Sequence, residues 1–192
     1  MHNCLVGSEM CIRDSLNATH LDACYESLKN NYDNKFGGFG KHPKFPTCHT
    51  LSFLLRYYQR SGKEDALAMV KHTLKNIRLG GIYDQVGYGV HRYSTDEKWL
   101  VPHFEKMLYD QALFTIAQLE CYLITKDEFY QRSCRNTLEY VHRQLTSNKG
   151  GFFSAEDADS EGEEGKFYLW TNEELVETVS YTHLRAHETV VH

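Results

Sequence analysis

One glycine-rich stretch carries a carboxylate, imidazoles, a guanidinium and several aromatic rings. It runs Gly81-Ile82-Tyr83-Asp84-Gln85-Val86-Gly87-Tyr88-Gly89-Val90-His91-Arg92-Tyr93-Ser94, then reaches Trp99, Pro102, His103, Phe104 and Glu105. Such a mixture suits a polyhydroxylated ligand, because arginine offers forked donors and rings offer stacking surface. The plainer alternative is a loop pinned by its own hydrogen bonds. Pro102 fits the first position of a helix, which predicts His103 and Glu105 in the first turn of a buried one. Free N–H groups and the dipole there favour an ionised Glu105 and a neutral His103, the form a general base needs. His103, Glu105, Asp84 and His91 are the candidate acid/base set, with Arg92 and Trp99 as binding residues. Asp110, seven residues beyond His103, falls on the same face of that helix as a further binding residue. Its alternative partner is Lys106, at the i, i+4 spacing of a helical ion pair.

A second acidic group lies downstream. Glu156, Asp157 and Asp159 are placed as binding residues that face the pocket with Glu105, giving paired carboxylates for work on a glycosidic or hemiacetal carbon. Glu161, Glu163 and Glu164 read as a solvated turn. Asp157-x-Asp159-x-Glu161-Gly162 imitates the start of a calcium loop, but Tyr168 occupies the position that needs a bidentate glutamate. No metal or cofactor is expected.

Helices must position these residues. Leu51, Leu54, Leu55 and Tyr58 fall at helical spacing, as do Leu67, Val70, Leu74 and Ile77, and again Cys134, Leu138, Val141 and Leu145. Asp22–Tyr32 predicts a further helix with Cys24, Tyr25 and Leu28 inward. Ser61 with Glu64, Thr125 with Glu128 and Thr171 with Glu174 have capping-box spacing. The run from Pro102 to Ile124 is apolar on more than one face, which predicts burial nearly all round. Asp127–Thr146 has a polar face and should lie outside it. Gly37-Gly38-Phe39, Gly80-Gly81-Ile82 and Gly150-Gly151-Phe152 each follow a helix and open a long connection, the pattern of a helical-hairpin array. In the third connection, Phe152–Ser154 and Lys166–Trp170 predict a small β-hairpin around the acidic turn. The fold class is all-α: an array of helical hairpins with a small β-hairpin in a long loop, which the family resemblance given below makes a partial (α/α) toroid.

Composition narrows the function. The chain has 21 basic and 26 acidic residues, with no basic stripe to attract nucleic acid and no apolar run near the ~20 residues of a membrane span. The ends stand apart. Cys4–Asp14, written in one choice of codons, reads on the opposite strand and in the same phase as Val179–Thr189, across eleven consecutive residues. Residues 1–15 and 179–192 are therefore expected to be translated sequencing adapter, leaving 16–178 as one domain, partial by the resemblance given below. Setting aside Arg13, Arg185, Glu9, Asp14 and Glu188 leaves 19 basic and 23 acidic residues. Cys24, Cys48, Cys121 and Cys134 then remain, with no C-x-x-C pair, as free thiols of a reducing, cytoplasmic compartment.

Three long motifs carry a family resemblance: Gly37–Gly40 through Pro43-Lys44-Phe45-Pro46; Gly80–Ala112, with His91-Arg92-Tyr93-Ser94 and Pro102-His103-Phe104-Glu105-Lys106-Met107-Leu108-Tyr109-Asp110; and Gly150–Trp170, with Ser154-Ala155-Glu156-Asp157-Ala158-Asp159-Ser160. The chain resembles the thioredoxin-domain-containing YyaL-like, spermatogenesis-associated protein 20-like family, with departures at His42, Tyr88 and Val90. The resemblance implies an N-terminal thioredoxin-like domain that is absent here. It also implies a toroid of the six-hairpin glycosidase type, a class that includes sugar epimerases, of which this chain is about the first half. Three functions compete. One is acid/base chemistry on a carbohydrate or sugar-like ligand, by hydrolysis or by epimerisation or isomerisation. Another is a non-catalytic client- or ligand-binding module serving the thioredoxin-like domain in redox or protein folding. The third is a scaffold.

Overall fold

The computed structural model describes residues 17–178; both expected adapter segments lie wholly outside the described residues. Five long helices form the frame: α1 (Ala18–Asn30), α2 (Cys48–Ser61), α3 (Glu64–Leu79), α4 (Leu108–Thr125) and α5 (Glu128–Gln144). A short α6 (Asn172–Thr178) ends the described chain. Two of the apolar stripes read from helical spacing meet: Leu51, Leu54 and Leu55 of α2 and Val70, Leu74 and Ile77 of α3 pack with Phe114, Ala117 and Cys121 of α4 in one core. The third is only partly inward, with Cys134 and Leu145 buried and Leu138 exposed. Asn17 caps α1 through Thr19 and exchanges hydrogen bonds with His20, and Tyr25 alone of that helix is fully buried; Cys24, expected inward, is exposed.

Two of the three expected capping boxes are replaced. Ser61 ends α2, donating to the Tyr57 carbonyl, so Lys63 precedes α3 without a side-chain cap. Thr125 likewise turns back onto Cys121, and Asp127 caps α5 through Phe129. Hydroxyls bond the preceding turn when a helix ends beneath them. Thr171 and Glu174 do form the reciprocal box, at α6.

Short connections join α2 to α3 and α4 to α5, so the three long loops gather at the opposite end, where α2 and α4 begin. They are stitched by backbone pairing. Lys44 in the first loop exchanges both backbone hydrogen bonds with Ser94 in the second, each 2.8 Å. Within the second, β1 (Tyr93–Ser94) pairs with β2 (Pro102–His103). Then β3 (Lys106–Met107) pairs with β4 (Ala155–Glu156) of the third loop. The small hairpin of that loop forms between β5 (Asp159–Ser160) and β6 (Glu163–Glu164), inside the acidic segment and not between its aromatic flanks. Phe152 instead bridges Thr146, and Lys166–Tyr168 is a 3₁₀ turn.

This stitching overturns the predicted helix start at Pro102. Residues 102–107 spend their backbone groups on strands, with the Arg92 amide donating to the Glu105 carbonyl and Leu108 to Ser154. The helix begins only at Leu108. His103 and Glu105 are therefore outside it, and neither the dipole nor the shared face with Asp110 applies to them. The paired glycines also serve different needs. Gly37, Gly38 and Gly150 have φ of 70°, 81° and 85°. Gly81 instead clears the connection between β1 and β2, since a Cβ there would lie 2.1 Å from the Leu100 carbonyl oxygen.

α4 departs from its expected burial in an instructive way. It buries Gln111, Thr115 and Gln118 and leaves Leu113, Ile116, Leu119 and Leu123 37–54% exposed. Covering those four side chains is worth several kcal/mol at about 25 cal/mol per Å², against a typical total stability of about 5–15 kcal/mol. Residues 17–178 alone should therefore self-associate at micromolar concentration, and Ile116→Lys with Leu119→Lys should reduce this without loss of helicity. Sedimentation velocity checks it. A monomeric parent with a sharp, reversible unfolding transition would contradict it.

Candidate functional site

Beneath the loops lies a buried polar network centred on Lys106, which is 1% exposed. Its ammonium donates to Asp84 Oδ2 at 2.8 Å and to the Tyr88 carbonyl at 2.9 Å, between the rings of Tyr140 and Tyr168. Asp84 Oδ1 accepts from the backbone N–H groups of Val86 and Gly87. Burial alone would raise the Asp84 carboxyl, but the Lys106 hydrogen bond and charge bring it below the usual carboxylate range. Burial draws Lys106 below an ordinary lysine, with Asp84 opposing. Tyr140 and Tyr168 both donate to Glu156, at 2.6 and 3.1 Å, and burial followed by Glu156 keeps both phenols protonated. His91 stands edge-on to Phe104 and Tyr168. Its Nδ1 lies 3.0 Å from the Phe104 carbonyl oxygen, which can only accept, so Nδ1 carries the proton. Burial lowers this imidazole to about 4. Gln111 completes the network by bonding both backbone groups of Val90 from α4.

A cleft of about 390 Å³ opens where α2 and α4 begin. Arg92 Nη1 donates to Glu105 Oε2 at 2.8 Å on its rim. His103 stacks on Tyr93 with ring centroids 4.9 Å apart, and Tyr93 in turn lies 4.9 Å from Phe45. The His103 Nδ1 lies 2.7 Å from Glu164 of the acidic hairpin, and its Nε2 is 3.7 Å from Glu105. Asp110 lines the cleft from the first turn of α4 with a buried Oδ2 that has no hydrogen-bond partner, as have Thr47 Oγ1 and Arg92 Nε. Burial raises the Asp110 carboxyl to about 7, with Arg92 opposing and Glu105 adding to the rise. Thr47, just before α2, holds φ at 43°, in the left-handed region that strains a β-branched residue.

The structure thus divides the sequence-predicted residues. Arg92, His103, Glu105 and Asp110 meet at or beside the cleft. Asp84, His91 and Glu156 belong to the buried network, where each bonds the protein itself. Trp99 is a core residue, wholly buried, its indole N–H donating to the Phe36 carbonyl and its ring beneath Lys44. Asp157 and Asp159 are exposed, Asp159 in β5 and Asp157 just before it, and neither lines the cleft. Asp110 and Lys106 do not pair, because Lys106 turns to Asp84. Sequence reasoning missed Thr47, Phe45, Tyr140 and Gln111. Nothing in their local spacing marks them, since Phe45, Tyr140 and Gln111 act through partners distant in sequence and Thr47 is set apart by its backbone and an unpartnered hydroxyl. Among the described residues no group of three or more His, Cys, Asp or Glu is placed to hold a metal ion, and no helix is long and apolar enough to cross a membrane.

The Asp110 shift has a sign that stability measurements can read. A carboxyl raised to about 7 in the folded chain, from ~3.9 unfolded, binds its proton more tightly when folded. Its stabilisation is full below the unfolded value and is lost as pH rises through about 7. Asp110→Asn does not titrate, so its stability relative to the parent should climb between pH 4 and 7 and level off above. Urea midpoints across that range check this. An offset independent of pH would contradict it.

No family model matches the chain. Human spermatogenesis-associated protein 20 is 47% identical over 168 residues, covering 82% of this chain and 21% of that protein. The chain thus spans about a fifth of the length of the curated relatives it matches. Among solved structures, cellobiose 2-epimerase from Bacillus thermoamylovorans is similar with a TM-score of 0.64 at 15% identity, over 79% of this chain and 44% of that one. A GH76 α-mannanase from Bacteroides thetaiotaomicron gives 0.60 at 17% identity, over 76% and 43%. The core of packed helix pairs, the loops at one end and these likenesses agree: the chain is a close homologue of one part of spermatogenesis-associated protein 20 and carries part of an (α/α) toroid.

Proposed function

We propose that this part of the toroid binds a carbohydrate or sugar-like ligand in the cleft at the start of α2 and α4, and acts on it by acid/base chemistry. One observation carries the reading: Arg92, Glu105 and Asp110 bring a guanidinium, a carboxylate bonded to it and a second carboxyl with an open oxygen to one cleft beside an aromatic wall. Two carboxyls held in different environments divide acid from base, as proton transfer at a glycosidic or hemiacetal carbon requires. His103 stands next to them but faces Glu164, so it holds the acidic hairpin to the rim. Sugar-acting proteins of similar fold, a cellobiose 2-epimerase and an α-mannanase, support the substrate class by analogy of fold.

A second reading has its own observation. Asp84, His91 and Glu156 are consumed by internal hydrogen bonds, which suits a non-catalytic binding module that serves an N-terminal thioredoxin-like domain in redox or protein folding. The cytoplasm is the compartment proposed for either, from the free thiols. A ligand-observed NMR screen of the intact protein with mannose, cellobiose and mannobiose, followed by product analysis, separates the two. Binding with slow conversion to an epimer, isomer or hydrolysis product is expected. Binding without conversion favours the module, and no binding to any sugar contradicts the carbohydrate reading.

A further inference from the structure

We infer that the cleft takes one uncharged, hydroxyl-rich ring held directly by Thr47, Arg92 and Asp110 against the Phe45–Tyr93 wall. The inference rests on the carbohydrate reading and narrows it to a subsite, a charge class and named atoms.

Thr47 Oγ1, Arg92 Nε and Asp110 Oδ2 are each buried without a partner, and all three residues line the same cleft. Buried polar groups are otherwise satisfied almost everywhere in proteins, so three orphans around one opening mark the place of an absent partner. That partner's chemistry follows from theirs. The arginine nitrogen only donates, while the threonine hydroxyl and a carboxyl both donate and accept. A compact group that answers them must do both at neighbouring positions, as adjacent hydroxyls do. Charge narrows it further. Glu105 already balances the charge of Arg92 through Nη1 and leaves the buried Nε open, so an anion meets no surplus positive charge there, and a cation would face Arg92. Phe45, 43% exposed, supplies the apolar face for a ring. The strained backbone of Thr47 fits a site that fixes a hydroxyl in place, and the volume lies within the ~300–1,000 Å³ of small-ligand sites.

The groups around Asp110 are Arg92 and Glu105 from the second loop, Cys48 and His49 from α2, and Tyr109 beside it on α4. A ligand that displaces water from the cleft extends the burial that favours the neutral carboxyl. Affinity should therefore be full below pH 7 and fall as pH rises through and above it.

The test is calorimetry of the intact protein with D-mannose, cellobiose and the anionic D-glucuronate at pH 6 and pH 8, with circular dichroism of each variant. Mannose or cellobiose should bind more tightly at pH 6 than at pH 8 and more tightly than glucuronate. Thr47→Ala and Asp110→Ala should each weaken binding at least tenfold. Asp110→Asn, which keeps a donor and an acceptor, should stay within threefold of the parent and lose the pH dependence. Neutral sugar binding that ignores both alanine variants overturns the subsite and leaves the carbohydrate reading intact. Preference for glucuronate overturns the charge class, and binding of no sugar removes both.

Discussion

The loop end of this domain depends on one buried ion pair. Lys106 and Asp84 are 22 residues apart, and their contact fixes far more than two side chains. Asp84 closes its own turn through Val86 and Gly87, and Lys106 takes the Tyr88 carbonyl in the same turn, so the pair sets the shape of the second loop. The lysine then lies against Tyr140 of α5 and Tyr168 of the third loop, whose hydroxyls meet on Glu156. Desolvating two charges is costly, and a pair of this kind persists only when the remaining bonds are satisfied. Here they are satisfied by backbone and by two aromatic faces.

From that constraint follows the division between structural and available polar groups. The network uses up Asp84, His91 and Glu156, which leaves them little freedom to take part in chemistry. It also places β3 against β4, and with them Phe104, on which the third loop closes. Gly165 is required at that point: its φ is 75° and a Cβ would lie 2.4 Å from the Phe104 ring. Outside this frame, at the start of the two inner helices, Arg92 and Asp110 keep unanswered hydrogen-bonding capacity. A site with open groups on a rigid floor is preorganised for a ligand.

Much of the frame was legible in the sequence. Helical spacing found α2, α3 and α5, and the glycine pairs found the loops, because both signals are local. The failures share a cause. Pro102 carries a valid local signal for a helix start, but strand pairing with Tyr93 and with the third loop overrides it, and that pairing is long-range. The leucines of α4 promised burial all round, yet within this chain the buried face is the one with Gln111, Thr115 and Gln118. Among the residues at or beside the cleft, Arg92, Glu105 and Asp110 stood out by type and motif. Thr47 was not, because its significance lies in a left-handed backbone and an unpartnered hydroxyl, neither of which a threonine announces. Trp99 was misassigned for the converse reason: an aromatic in a polar loop suggests a stacking platform, and only the fold shows it beneath Lys44 in the core.

The central claim is that Lys106 holds the second and third loops as one unit. Hydrogen exchange on Lys106→Met tests it most directly. The account predicts that amides of residues 82–91 and 155–168 lose protection together, while those of α2 and α3 keep it. Loss confined to the turn around Asp84, with the third loop still protected, would contradict it.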